Sequence, residues 1–200
     1  MIIYNPHNAI ILKSRIKEAE NLLTRIPAKY CFVTGSFLYK ENYKDIDIFV
    51  ISRSKKEIKL NNPKAKVTFI DFNDLYSLFY HSISKSCLAK NILPVRSLKV
   101  TISDYWQVIN EAVPTLLNSK NKFQKEIRFL ILYTEYFKSG EVLDTFQLDA
   151  KINKLNDYKA VLKYIRENIP FIMKDKLAPS YLKRFFYTQA GYYKKVEYEA

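Results

Sequence analysis

The chain is poor in the residues that punctuate or staple unusual folds: its 200 residues include three glycines, seven prolines and two cysteines. That scarcity excludes a collagen-like chain, a glycine-rich linker protein and a disulfide-stapled secreted scaffold. No apolar run approaches the roughly 18 to 20 residues that a membrane-spanning helix takes. The opening Met1-Ile2-Ile3-Tyr4-Asn5 has neither the basic region nor the cleavage site of a signal peptide, so the expected location is the cytoplasm, with no membrane partner. Cys31 and Cys87 show no metal-ligand spacing and read as buried thiols, and zinc is not implied.

What the chain does have is a core and a charge. With 48% apolar and 26% charged residues, it has enough material for one compact unit or two small lobes. Its net charge of +13 favours an anionic partner such as a nucleotide or RNA. The excess is uneven: residues 51–100 hold 10 basic against 3 acidic residues, and residues 151–200 hold 11 against 5.

Apolar residues recur at helical spacing from about Ala9 to Arg25, closed by Pro27, which predicts an amphipathic helix. Tyr30-Cys31-Phe32-Val33-Thr34 reads as a strand stopped by Gly35-Ser36. A second strand follows at Asp45-Ile46-Asp47-Ile48-Phe49-Val50-Ile51. Side chains alternate along a strand, so both aspartates project from one face and Ile46 and Ile48 from the other. A basic, hairpin-like connection from Arg53 to Lys64 leads to a third strand near Lys66 to Asp71, and Asn73 or Asp74 then caps a long helix ending before Pro94. From Ser103 onward the periodicity is helical, over Tyr105 to Leu117, Lys122 to Lys138, roughly Ala150 to Met173, and Ser180 to Tyr193. The expected fold class is therefore α+β: a small mixed β-sheet core with flanking helices at 1–98, then a helical bundle at 99–200.

Two like charges on one strand face need a reason. Asp45 and Asp47 are spaced to offer hard oxygen ligands from one side, the chemistry that Mg²⁺ or Mn²⁺ demands. Nucleotidyl transfer uses such ions, about 3.5 to 4 Å apart, between an attacking hydroxyl and a triphosphate. A glycine leaves backbone room for a phosphate, and a serine hydroxyl with turn amides binds it. The Gly35-Ser36 turn after one strand, followed by Asp45-Ile46-Asp47 on the next, resembles the signature of the nucleotidyltransferase superfamily, the polymerase-β-like fold. The resemblance covers about the first hundred residues.

That resemblance implies a metal-dependent enzyme, binding a nucleoside triphosphate such as ATP and passing a nucleoside monophosphate to an RNA, protein or small-molecule acceptor. It implies Asp45 and Asp47 as metal ligands and Gly35 and Ser36 as the triphosphate clamp; in the loop between them the bases Lys44 and Lys40 are candidate phosphate contacts, their charge serving otherwise as a solvated face. The family's third acid falls on Thr68 in one register of the third strand and on Asp71 in the other, because a slip of one residue changes the face. With Thr68 there, a non-catalytic module binding RNA or a partner protein is the competing expectation. Small members of the superfamily include halves of bacterial toxin–antitoxin pairs and antibiotic-modifying enzymes. Elsewhere, Tyr181 to Tyr187 and Tyr192 to Lys195 interleave aromatics with bases, a pattern that suits either a helix core or base stacking. His81 reads as a partly buried, hydrogen-bonded histidine.

Overall fold

Five strands form one mixed sheet in the order β1-β5-β2-β3-β4: β1 (Ile2–Tyr4), β2 (Tyr30–Thr34), β3 (Ile46–Ile51), β4 (Ala65–Ile70) and β5 (Cys87–Ala89). Among the described residues only β3 and β4 run parallel; the other pairs are antiparallel. The computed structural model describes residues 1–54, 56–119, 124–155 and 157–173. They fall into two units, Met1–Val100 with Val142–Lys151, and Thr101–Glu141 with the described residues from Ile152 on.

The alternation in β3 organises the first unit. Ile46, Ile48 and Val50 are almost wholly buried with Ala19, Leu22 and Leu23 of helix α1 (Lys13–Thr24). On the other face Phe49 and Ile51 pack with Phe32, Leu75 and Tyr80. Each such buried side chain contributes about 1.5–3 kcal/mol, so both faces of the strand are firmly specified.

Several expectations are corrected here. The first helix starts at Lys13, not near Ala9, because the Asn5 side chain brackets a turn. Its Oδ1 accepts from Ala9 N at 2.9 Å and its Nδ2 donates to Ala9 O at 2.8 Å. The connection from Arg53 to Lys64 is not a hairpin. It is a crossover between parallel strands, and its Ile58 and Leu60 pack against the α1-side core. A parallel pair needs a link of about a dozen residues or more.

The single long helix expected before Pro94 is three elements. Asp71 caps a 3-10 turn at Phe72–Tyr76, Ser77 caps α2 (Leu78–Lys85), and the chain then enters β5. β5 is buried on all three residues, which erases the alternation that would have marked it.

In the second unit α4 (Gln124–Ser139) packs against both α3 (Ile102–Ser119) and α6 (Tyr158–Met173). The helix expected from Ala150 to Met173 is two helices, α5 (Thr145–Leu155) and α6. Asp157 starts the second by accepting from Ala160 N at 2.8 Å. The described residues thus contain six α-helices and a five-stranded sheet, an α+β protein. The boundary expected at 98/99 lies at Val100, but Val142–Lys151 returns to the first unit. The expected helix over Ser180 to Tyr193 lies outside the described residues.

Candidate functional site

The sheet register aligns Tyr4, Cys87, Thr34, Asp47 and Lys66 in one row across all five strands. The next row on the same face is Ala89, Phe32, Phe49 and Thr68. One face of the sheet is therefore apolar in its middle and turns polar where β2 runs out into Gly35. Asp45, two residues before Asp47, lies on this side as well.

Gly35 stands directly against this polar end. Its backbone has φ 86° and ψ −166°, a conformation open essentially to glycine alone. A Cβ placed on it would lie 3.3 Å from Asp47 Oδ2. The 3-10 turn Ser36–Leu38 follows at once, closed by Leu38 N donating to Gly35 O at 3.1 Å and Lys40 N to Ser36 O at 2.8 Å. The structure thus brings Gly35, Ser36 and Asp47 together.

Asp45 is held by a residue to which the sequence pattern alone had assigned nothing. Lys66 Nζ donates to Asp45 Oδ2 at 2.5 Å, with the Asp45 side chain 26% exposed and that of Lys66 62% exposed. The hydrogen bond to Asp45 and that carboxylate's charge raise the Lys66 pKa above its ordinary value, with a further contribution from Asp47. Lys66 is thus a cation lodged at the mouth of the acidic pair. It became visible as a site residue only once the parallel register set it beside Asp47.

The loop leading from the turn to the acids is tied down at several points. Tyr39 OH and Lys40 Nζ both donate to Asp149 Oδ2 on α5, at 2.8 and 3.0 Å. Lys40, expected as a phosphate contact, is paired here with the Asp149 carboxylate. The Arg15 guanidinium sits 4.4 Å from the Tyr43 ring centroid and donates to Glu41 O at 3.2 Å, and Lys64 Nζ lies 4.5 Å from the same ring. Lys44, next to Asp45, is exposed.

The returning segment is anchored by a reciprocal cap. Gln147 N donates to Asp144 Oδ1 at 2.8 Å, and Asp144 N donates to Gln147 Oε1 at 3.0 Å. Ser86 Oγ donates to the other Asp144 oxygen at 2.5 Å. Thr145 Oγ1 lies 3.3 Å from Thr34 Oγ1, beside the site row. The Asp144-Thr145-Phe146-Gln147 pattern was the available signal for this helix start.

Asp71 is not part of the site, and its expected role as third acid is corrected. It lies five positions past Lys66 along the chain, roughly 16 Å at the rise of a strand, and at the opposite end of β4 from the acidic pair. Its Oδ1 accepts from Asn73 N at 2.9 Å, while its own N donates to Asp74 Oδ2 at 3.1 Å. It is a cap. The register pairs Phe49 with Thr68, so the face of the acidic pair carries Thr68, which is exposed.

Two carboxylates and a lysine define what the site can hold. Among the described residues no group of three or more His, Cys, Asp or Glu is placed to bind a metal ion. Mg²⁺ is commonly held by one or two carboxylates together with substrate phosphates. Two carboxylates are a donor set that such an ion can use.

The other singled-out residues stay apart from this chemistry. Burial pushes the Cys31 thiol up to about 11 and the Cys87 thiol further up, so neither is a ready nucleophile. His81 lies half-buried on α2, and its Nε2 is buried with no hydrogen-bond partner, against the hydrogen-bonded histidine expected. The aromatic and basic stretch at 181–195 lies outside the described residues. Among the described residues no helix is long and apolar enough to cross a membrane. No protein-family model, curated protein or solved structure matches the chain.

Proposed function

We propose that the first unit is a nucleotidyltransferase core. In this reading Asp45 and Asp47 take the Mg²⁺ or Mn²⁺ that accompanies a nucleoside triphosphate, and the Gly35-Ser36 turn takes its phosphates. The acceptor hydroxyl oxygen bonds to the α-phosphorus as the bond to the β-phosphate breaks. Pyrophosphate leaves, and the hydroxyl proton passes to solvent. The observation that carries this reading is the contact of Gly35 with Asp47: a glycine in a glycine-only conformation lets the turn that would take the phosphates lie against a carboxylate that would take the metal. The basic balance of the chain favours RNA as acceptor over a protein or small molecule.

The test is incubation of the purified protein with each α-labelled triphosphate and Mg²⁺ or Mn²⁺, with total RNA and cell lysate as acceptors. The control is an Asp45→Asn/Asp47→Asn variant. Label transferred by the wild type and lost in the variant is the expected result. No transfer, together with no metal-dependent triphosphate binding by calorimetry, would overturn it.

Thr68 favours a second reading, a module that binds without transfer. A third carboxylate next to the acceptor hydroxyl is what would take its proton, and a threonine on that face does not replace it. Metal-dependent triphosphate binding without transfer would select a nucleotide-binding module. RNA binding that needs no nucleotide and falls steeply with salt would select an RNA-binding one.

A further inference from the structure

Lys66 has no part in the pattern that first drew attention to the site, yet it is the side chain bonded to Asp45. An acidic pair on one strand face repels itself, and a cation between the carboxylates relieves that repulsion. The exposed stem of Lys66 leaves its ammonium free to swing while β4 stays in place. Its backbone position, level with Asp47 in the sheet, keeps the ammonium within a side chain's reach of anything held by the two aspartates.

We infer that Lys66 is a resident counter-cation that gives up Asp45 when a divalent ion arrives with a triphosphate, and then contacts the triphosphate itself. This deepens the proposed nucleotide site and rests on it. Two opposite effects follow from one side chain. Toward a bare divalent ion Lys66 is a competitor, because the ion must displace it from Asp45. Toward the metal–triphosphate complex it is a partner, because the phosphates bring more negative charge than the two carboxylates can tolerate alone. The site thereby discriminates against free metal and in favour of metal carried by nucleotide.

The experiment is calorimetry of the full chain with Mn²⁺ alone and with ATP in the presence of Mg²⁺. It compares the wild type with Lys66→Met, which keeps the stem and removes the charge, and Lys66→Arg, which keeps the charge. Lys66 is exposed on an edge strand, so both variants are expected to fold, and circular dichroism checks this. For Lys66→Met the expected result is Mn²⁺ bound about two- to fivefold more tightly, the scale of one exposed ion pair. ATP with Mg²⁺ is expected to bind about tenfold more weakly, the scale of one charge-assisted contact. Lys66→Arg should stay near the wild type for ATP.

Affinities for both ligands unchanged in Lys66→Met, with the wild type binding both, would overturn the role of Lys66 and leave the nucleotide site standing. Tighter binding of both ligands would make Lys66 a competitor only, which also overturns the inference. Failure of the wild type and the variant alike to bind either ligand would overturn the nucleotide site itself.

Discussion

Gly35 and Asp47 touch across neighbouring strands: the hydrogen that a Cβ would replace on Gly35 points at the Asp47 carboxylate, with 3.3 Å between that Cβ position and Oδ2. Gly35→Ala is expected to cost about 1–3 kcal/mol of stability, since φ 86° with ψ −166° is a conformation essentially reserved to glycine, and to displace the carboxylate. Chemical denaturation of Gly35→Ala, Asp47→Ala and the double variant measures the coupling. Recovery of part of the loss in the double variant is expected, and strictly additive losses would show that the contact is not felt.

Asp149 receives two donors, from Tyr39 and Lys40, with its side chain only 11% exposed. Asp149→Ala leaves both donors without that acceptor and should cost about 1–3 kcal/mol, while Tyr39→Phe should cost about 0.5–1.5 kcal/mol. Urea denaturation checks the order of the two, and an Asp149→Ala loss no larger than that of Tyr39→Phe would refute it.

Thr68 lies on the same face as the acidic pair, opposite Phe49, and it is exposed. Thr68→Asp should tighten Mn²⁺ binding roughly tenfold by adding ligand charge. Asp71→Asn, at the far end of the strand and still able to cap, should change neither metal nor nucleotide affinity. A loss of metal binding in Asp71→Asn would return Asp71 to the site.

Alkaline pH should destabilise the protein through its buried acids. Cys31 titrates near its ordinary 9.0 when unfolded and at about 11 when folded, so between these values the unfolded chain binds fewer protons and stability falls as pH rises. Burial raises Cys87, Tyr80 and Tyr105 in the same direction. Denaturation midpoints should therefore be steady below about pH 9 as far as these groups are concerned, and decline above it. Cys31→Ala should decline less steeply between pH 9 and 11 than the wild type, and parallel curves would remove Cys31 from the account.

Local pattern alone was enough to locate β2, β3 and the Gly35-Ser36 turn, and to put Asp45 and Asp47 on one face, because strand alternation and glycine chemistry act over a few residues. It was also enough for α3 and α4, whose apolar periodicity is long. Tertiary structure decided the rest. β1 and β5 are three residues each, too short to carry a pattern, and exist as strands because neighbours supply their hydrogen bonds. Whether Thr68 or Asp71 shared the acidic face depended on the register of β4, which is set by pairing with β3 and not by either strand's own residues. The same pairing delivered Lys66 to Asp45, and the return of Val142–Lys151 delivered Asp149 to Lys40. These contacts join positions 21 and 109 residues apart in the chain, and such distances are closed only by packing.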